Sequence, residues 1–304
     1  MPFPSLHALP RLSCLPRLSC PSCLSCLLAL LPYCLTALTA FPAEDNKCPS
    51  RKAGRKVYPK HENHMTKTDT PHILIINPTR HEYKATCRLL AGKNFDRIKP
   101  VVRESGPGKI NAAFSLTLAL HELKQQGAAP RVLIGAGTSG SLNYDLKNGD
   151  IIFSTTSVIS DYQMLTEHGL QSSPYGLLNF IEPQNFRPAD IAISCTDPLT
   201  TDLAAHMTGK HCKLGAMLTS DTFVTGKENR LQLGRHFDCL ACDMESGAFA
   251  YLAQNKLQTP WFNLRIVADT LNEDFEHYQL METEMSELLA GRLLVVLQAL
   301  DEML

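Results

Sequence analysis

The run from His72 to Asn77 reads HILIIN, an unbroken and β-branched apolar stretch. A strand buried on both faces has that composition, and the apolar residues that follow recur at helical spacing to about Leu90. The patterned part of the chain thus opens as a β–α unit. A strand near Lys99–Arg103, a glycine turn at SGPGK, a long helix from about Ile110 to Lys124 and a strand at Arg131–Gly135 come next. Alternation of this kind predicts a largely parallel sheet. Further strands are expected at Asp150–Val158, Ala216–Ser220, Phe237–Cys242 and Trp261–Ala268, with helices near Leu199–Met207, Glu245–Asn255 and Glu282–Leu304. From Ser160 to Asp190 periodicity is weak and Pro and Gly recur, so a specificity loop or lid is expected there. The predicted architecture is α/β: one domain over residues 66–304, three layers α/β/α, with a mostly parallel mixed central sheet.

The first 64 residues show neither period. Residues 9–14 and 15–20 repeat LPRLSC, and Pro, Leu, Ser and Cys dominate. An apolar run from Leu24 to Ala40 behind Arg11 and Arg17 imitates a secretory signal, with small residues near Ala40 and Ala43 as a nominal cleavage site. The long proline-studded leader, Pro32 inside the run and a basic stretch from Arg51 to Lys60 oppose that reading, and Met65 opens a sequence that looks like a natural start. Residues 1–64 are therefore expected to be disordered or a mis-assigned start, and the domain cytoplasmic. Cys48, His61 and His64 lack the pairing that zinc-like spacing requires.

With 304 residues, 44% of them hydrophobic, the chain can build a sizeable core. Its 29 basic and 30 acidic residues leave a net charge of −1, without the excess that tracks phosphate backbones or anionic membranes. Neither nucleic acid nor membrane is an expected partner. Cys239 and Cys242 form C-x-x-C but straddle a strand end instead of opening a helix, and read as buried, inert thiols.

Two glycine motifs carry the candidate chemistry. GAGTSG at 135–140 is a literal G-x-G-x-x-G, yet the dinucleotide fingerprint needs a helix immediately afterwards. Asn143, Asp145, Asn148, Gly149 and Asp150 lead straight into IIFSTTSV, which leaves no room for a crossover helix. SGPGK at 105–109 lacks the Walker A pattern, because Arg103 and Ile110 stand where a glycine and a Ser or Thr belong. Both motifs read as glycine turns at the C-terminal ends of neighbouring strands, where open α/β sheets bind ligands. Plain tight turns are the alternative.

Six blocks, in order and at matching spacing, resemble one family: IINPTRHEY at 75–83, SGPGKINAA at 105–113, GAGTSGSLNYDLKNGDII at 135–152, LTSDTFV at 218–224, CDMESGAFA at 242–250 and RIVADTLNED at 265–274. They resemble the nucleoside phosphorylase and nucleosidase superfamily, and within it the methylthioadenosine/S-adenosylhomocysteine nucleosidases, over about Ile73–Asp274. The resemblance implies a nucleoside phosphorylase-like fold and hydrolysis of the N-glycosidic bond of a purine nucleoside. Expelling a purine through an oxocarbenium-like state needs an acid, a hydroxyl clamp and an oriented water. By resemblance, Asp269 protonates N7 of the leaving purine. Glu245 accepts hydrogen bonds from ribose hydroxyls, with Met244 against the sugar. Glu82, Arg265 and the Thr138 hydroxyl, the last beside Gly137, hold and activate the water. Phe223 stacks on the purine and Val224 bonds it through its backbone. Each residue also has a plain structural reading: Asp269 as a turn cap, Glu82 and Glu245 as first-turn acids, and Met244, Phe223 and Val224 as core.

INPTRHEY also resembles the phosphorylases' GDPxR block, which makes Arg80 a possible phosphate ligand. Phosphorolysis generally uses a second arginine where this chain has Gly135, which supplies neither charge nor a bidentate grip. With Glu82, this favours water as nucleophile. Ala268, Thr138 in place of serine, and Asn77–Pro78 depart from the nucleosidase pattern and leave the 5′ substituent open, an aminofutalosine-type nucleoside included. No metal or redox cofactor is expected, since no ligand cluster stands out. The resemblance implies a homodimer. The rival class is a catalytically silent nucleoside-binding protein on the same fold, which would need Phe223 and Glu245 but neither acid nor water groups.

Overall fold

The computed structural model describes residues 70–167, 169–176, 188–209 and 212–304. The expectation for residues 1–64 lies outside them, as do residue 168 and residues 177–187 of the expected lid. In chain order the described elements begin with β1 (His72–Asn77), α1 (Arg80–Leu90), β2 (Lys99–Glu104), α2 (Lys109–Gln125) and β3 (Pro130–Ser141). β4 (Ile151–Ser154), β5 (Thr156–Ile159), β6 (Gln163–Thr166), β7 (Gly169–Ser172), α3 (Pro188–Ile191), β8 (Ile193–Ser194) and α4 (Pro198–Met207) follow. The last third holds β9 (Cys212–Leu214), β10 (Met217–Thr219), α5 (Lys227–Phe237), β11 (Ala241–Asp243), α6 (Ser246–Leu252), β12 (Trp261–Asp269) and α7 (Phe275–Met303).

β1 runs parallel to both β2 and β3, and alternate residues serve opposite faces. Ile73 and Ile75 pack with β12, α4 and α7, whereas Leu74 and Ile76 pack with α2 and α6. That division is the period of two expected of a strand covered on both sides, and it makes the three layers. β3 is also parallel to β12 over most of its length and antiparallel to β11 at its end. β4 and β9 extend the sheet beyond β12, and β10, β5 and β8 extend it beyond β11. Among the described residues no helix is long and apolar enough to cross a membrane.

Several expectations change. GAGTSG is not a turn: it lies inside β3, which continues to Ser141. Its glycines stand opposite the polar residues of β12, with Gly135 paired to Asn263, Gly137 to Arg265 and Gly140 to Asp269. A Cβ on Gly135 would sit 2.3 Å from Asn263 Oδ1, one on Gly137 2.3 Å from Arg265 Nη1, and one on Gly140 3.0 Å from Asp269 Oδ2. The missing Cβ atoms let three polar side chains lie across β3. SGPGK does turn. Gly108 holds φ 93° as the N-cap of α2, a conformation that only glycine adopts without strain.

The single strand expected at Asp150–Val158 is two. The chain changes neighbours at Thr155, with β4 pairing β12 and β9, and β5 pairing β10 and β8. The strand expected at Phe237–Cys242 begins later, after a helix end and a short loop. α5 runs through Phe237, Asp238 closes it in the left-handed region, and only Ala241–Asp243 is extended. The charged sequence KENRLQLGRHF masks that helix, which buries Leu231 and Phe237 and, unexpectedly, Arg230. Within the expected irregular stretch, β6 and β7 pair antiparallel, Gln163 with Ser172 through Thr166 with Gly169. The last helix starts at Phe275 instead of Glu282, because Asp274 caps it by accepting from the His277 amide at 3.1 Å.

Gly135→Ala is expected to lower stability by about 1–3 kcal/mol, the usual range for overpacking a close contact. Urea unfolding of the full chain checks it, and an unchanged midpoint would mean that β3 and β12 are not packed this closely.

Candidate active site

The C-terminal ends of β3 and β12, the segments at Pro78–Thr79 and Thr222–Val224, and the start of α7 enclose a cavity of about 470 Å³. Thr138, Phe223, Val224, Met244, Glu245 and Asp269 all line it. Phe223 builds one apolar wall, its ring edge-on to Phe275 at 5.1 Å and to Tyr278 at 5.6 Å.

Asp269 is the last residue of β12 and 2% exposed. Burial pushes its carboxyl up to about 6, against the opposing pull of the Arg230 guanidinium that it bonds. Such an acid holds a proton at a pH where an ordinary carboxyl has lost it.

Glu245 precedes α6 and accepts the Gly108 amide on Oε1 at 2.8 Å. The neighbouring Lys109 amide donates to Asp221 at 2.9 Å. Carboxylates therefore already occupy the positive N-terminus of α2, which suits them electrostatically. Burial pushes the Glu245 carboxyl up, with Arg265 pulling the other way. Arg265 is 1% exposed: Nη2 lies 3.0 Å from Asp243, Nη1 3.5 Å from Glu245 Oε2, and Nε donates to Ser246 Oγ at 3.1 Å. One guanidinium thus holds two carboxylates under the cavity floor.

Glu82 is wholly buried, not the exposed first-turn acid of its plain reading. Oε2 accepts the Thr79 amide at 2.8 Å in a capping box, while Oε1 accepts both the amide and the hydroxyl of Thr138, at 2.7 and 2.9 Å. Burial raises its carboxyl, and these donors and Arg265 oppose the rise. Glu82 lies behind Thr138 and meets the cavity through that hydroxyl. Tyr278 Oη stands 3.3 Å from the same Thr138 oxygen.

The structure thus brings six of the expected residues to the cavity and sets Glu82, Arg265 and Gly137 directly behind it. Arg80 does not join them. Its side chain is 63% exposed and pairs with Glu104 at 2.8 Å, so the possible phosphate ligand is turned outward. Sequence reasoning missed Arg230, Tyr278, Phe275 and Asp243. Arg230 was hidden with its helix, and Tyr278 and Phe275 with the early start of α7. Asp243 stood next to the recognised Met244–Glu245 pair, and its position at a strand end was the available signal. Cys239 and Cys242 are free and buried; burial pushes the Cys242 thiol up to about 12 and the Cys239 thiol also upward, which favours inert thiols over thiolates.

Residues 73–299 match the sequence model of the phosphorylase superfamily. The chain belongs to the phosphorylase superfamily. Its superfamily relatives include the 5′-methylthioadenosine/S-adenosylhomocysteine nucleosidase of Staphylococcus aureus (strain NCTC 8325 / PS 47), 26% identical over 179 residues that span 58% of this chain and 71% of that protein. Among solved structures, the fold is similar to that of the 5′-methylthioadenosine/S-adenosylhomocysteine nucleosidase of Helicobacter pylori, with a TM-score of 0.61 and 22% identity over 76% of this chain and 99% of the other. It is likewise similar to the futalosine hydrolase of Helicobacter pylori, with a TM-score of 0.59 and 22% identity over 76% and 98%. At these identities the solved structures attest the superfamily fold.

Glu82→Gln places an amide NH₂ where a carboxylate oxygen now accepts an N–H. The expected result is a loss of about 1 kcal/mol or more, the scale of a lost cap, seen as a lower denaturation midpoint. An unchanged midpoint would show that the capping box is not formed.

Proposed function

We propose that the chain hydrolyses the N-glycosidic bond of a purine nucleoside of the 5′-methylthioadenosine/S-adenosylhomocysteine type, releasing adenine and a ribose derivative. The observation that carries this reading is the buried Asp269 carboxyl, raised to about 6 and opening onto the same cavity as Phe223 and Glu245. A leaving purine departs readily only if its charge is neutralised by a proton, and an acid with a raised pKa supplies one near neutral pH. Glu245 is the clamp for ribose hydroxyls. Thr138, fixed by Glu82, orients the water. An oxocarbenium-like carbon is electrophilic enough that the water needs orientation more than deprotonation, which fits a carboxylate acting through a hydroxyl.

Phosphorolysis is disfavoured by two observations: Arg80 points outward to Glu104, and Asn263 fills the space into which a side chain at position 135 would extend. The Helicobacter pylori futalosine hydrolase among the similar structures keeps an aminofutalosine-type 5′ substituent as the second reading.

The test is base release from methylthioadenosine, S-adenosylhomocysteine, aminofutalosine and inosine by the purified chain, with and without phosphate. Phosphate-independent adenine release is expected, with Asp269→Asn lowering kcat by about 10²–10⁴-fold. Strict phosphate dependence would make the chain a phosphorylase, and no release from any nucleoside would favour a binding protein. Because the acid must carry its proton, kcat/KM should be high below and fall as pH rises through about 6. A rate unchanged from about pH 5 to about pH 8 would remove Asp269 from the acid role.

We also propose that the chain works as a homodimer. Ile110, Phe114 and Leu118 lie four residues apart along α2 and are 81%, 68% and 45% exposed, an apolar stripe that starts beside the Gly108–Glu245 contact and so beside the cavity. Light scattering should give twice the chain mass, and Phe114→Glu should return one chain mass with weakened catalysis. A wild-type monomer with full activity would refute this.

A further inference from the structure

The Asp269 side chain does not stand alone at the end of β12. Arg230, on the first turns of α5, is fully buried and does not line the cavity. Its guanidinium bonds the Asp269 carboxylate through Nη2. Nη1 donates to the Thr270 carbonyl at 2.7 Å and to the Asp269 carbonyl at 3.4 Å, and Nε donates to the Val224 carbonyl at 3.1 Å. An uncompensated buried cation is costly, so its retention at full burial depends on this set of one carboxylate and three carbonyls. The fork also joins the two segments that face the purine in the proposed reaction, the end of β12 and the Thr222–Val224 loop. Gly140 leaves room for the pair, since a Cβ there would lie 3.0 Å from Asp269 Oδ2 and 3.4 Å from Arg230 Nη1.

We infer that Arg230 is the positioning residue of the general acid: it holds the Asp269 carboxyl toward the cavity and stabilises the carboxylate that remains once the proton has moved to the purine. The inference rests on the hydrolytic reading above. In the step concerned, the Asp269 O–H bond breaks and the purine N7–H bond forms. The glycosidic C–N bond breaks with its electron pair staying on the purine, and the sugar carbon bonds the water oxygen. The proton that the water sheds restores the acid through solvent. At the moment of cleavage the new charge is a buried carboxylate, which a fixed guanidinium at hydrogen-bond distance stabilises without reorganisation.

The other groups that act on Asp269 are Glu273 from the following loop, His277 from α7 and the Cys242 thiol from β11. Glu273 and His277 pair with each other at 3.2 Å, and the Cys242 thiol stays neutral below about 12. Arg230 is therefore the dominant charge that lowers the proton affinity of this acid, against a burial that raises it.

The test is the pH dependence of kcat and kcat/KM for the full chain, its Arg230→Gln and its Arg230→Lys variants, on the nucleoside whose base the wild type releases. Removing the charge raises the proton affinity of Asp269. Arg230→Gln is thus expected to move the descending limb about one unit or more to higher pH, while kcat on the acid plateau falls by about tenfold or more because the acid is weaker. Arg230→Lys keeps the charge but not the fork. It should keep the limb near its wild-type position and still lose kcat, since one ammonium cannot hold the carboxylate and the carbonyls together. A folded Arg230→Gln protein with an unmoved limb would overturn the inference. If that variant does not fold, Arg230→Lys with wild-type kcat overturns it equally. Absence of base release by the wild type would instead overturn the hydrolytic reading.

Discussion

Three buried polar side chains of β12 face three glycines of β3 across a parallel pair, and the site is built on that register. Asn263, Arg265 and Asp269 stand opposite Gly135, Gly137 and Gly140. Central strands of a sheet covered on both faces are ordinarily apolar throughout, and here the neighbouring Leu264, Ile266, Val267 and Ala268 are. A polar residue in such a strand must find space and partners within the sheet layer itself. Removing the Cβ at these three positions of β3 supplies the space, at a cost in backbone entropy. A one-residue slip would set side chains of β3 against the guanidinium and the carboxyl at once.

Partners come from the periphery. Arg265 is satisfied by Asp243, Glu245 and Ser246, all at or just beyond β11, and Asp269 by Arg230 from α5. Glu82, brought in by α1 under β3, is satisfied by Thr79 and Thr138. Charged groups that bury together in this way are held in single orientations, because each alternative rotamer leaves an ion unpaired in a low-dielectric interior. The cavity combines this rigid polar floor with an apolar wall of Phe223, Phe275 and Tyr278. A flat aromatic base with a polyhydroxylated sugar is complementary to both surfaces, and the proposed hydrolysis uses each.

The same packing bears on the choice of nucleophile. The N-terminus of α2, a natural anion site, is taken by Glu245 and Asp221. Arg80, the one recognised cation for phosphate, pairs with Glu104 at the surface. What faces the cavity near Thr138 is a hydroxyl pair, Thr138 and Tyr278, which suits a neutral water better than an anion.

Much of this was legible in the order of residues. Continuous apolar runs such as HILIIN, short and rich in β-branched residues, specify strands covered on both faces, and their alternation with helical periods specifies the layered fold. The blocks around Glu82, Thr138, Phe223, Glu245 and Asp269 carried the family resemblance, since they place chemically distinctive residues in one order and at one spacing. Helix boundaries set by caps and charge were not legible. KENRLQLGRHF shows no clean apolar face because part of its buried side is a guanidinium, and the early turns of α7 mix Phe275, Tyr278, Leu280 and Met281 with charged residues, so that the start is set by the Asp274 cap. Nor could local pattern tell that GAGTSG is strand: glycine reads as a turn unless the facing residues are known. Which side of Thr138 the Glu82 carboxyl occupies, where Arg80 points and which cation meets Asp269 are relations between segments dozens of residues apart. Sequence determined which chemical groups the chain owns and the elements that carry them. Only the tertiary structure, by closing β3 onto β12 and α5 onto both, decided which of those groups share a buried space and therefore alter one another's charge.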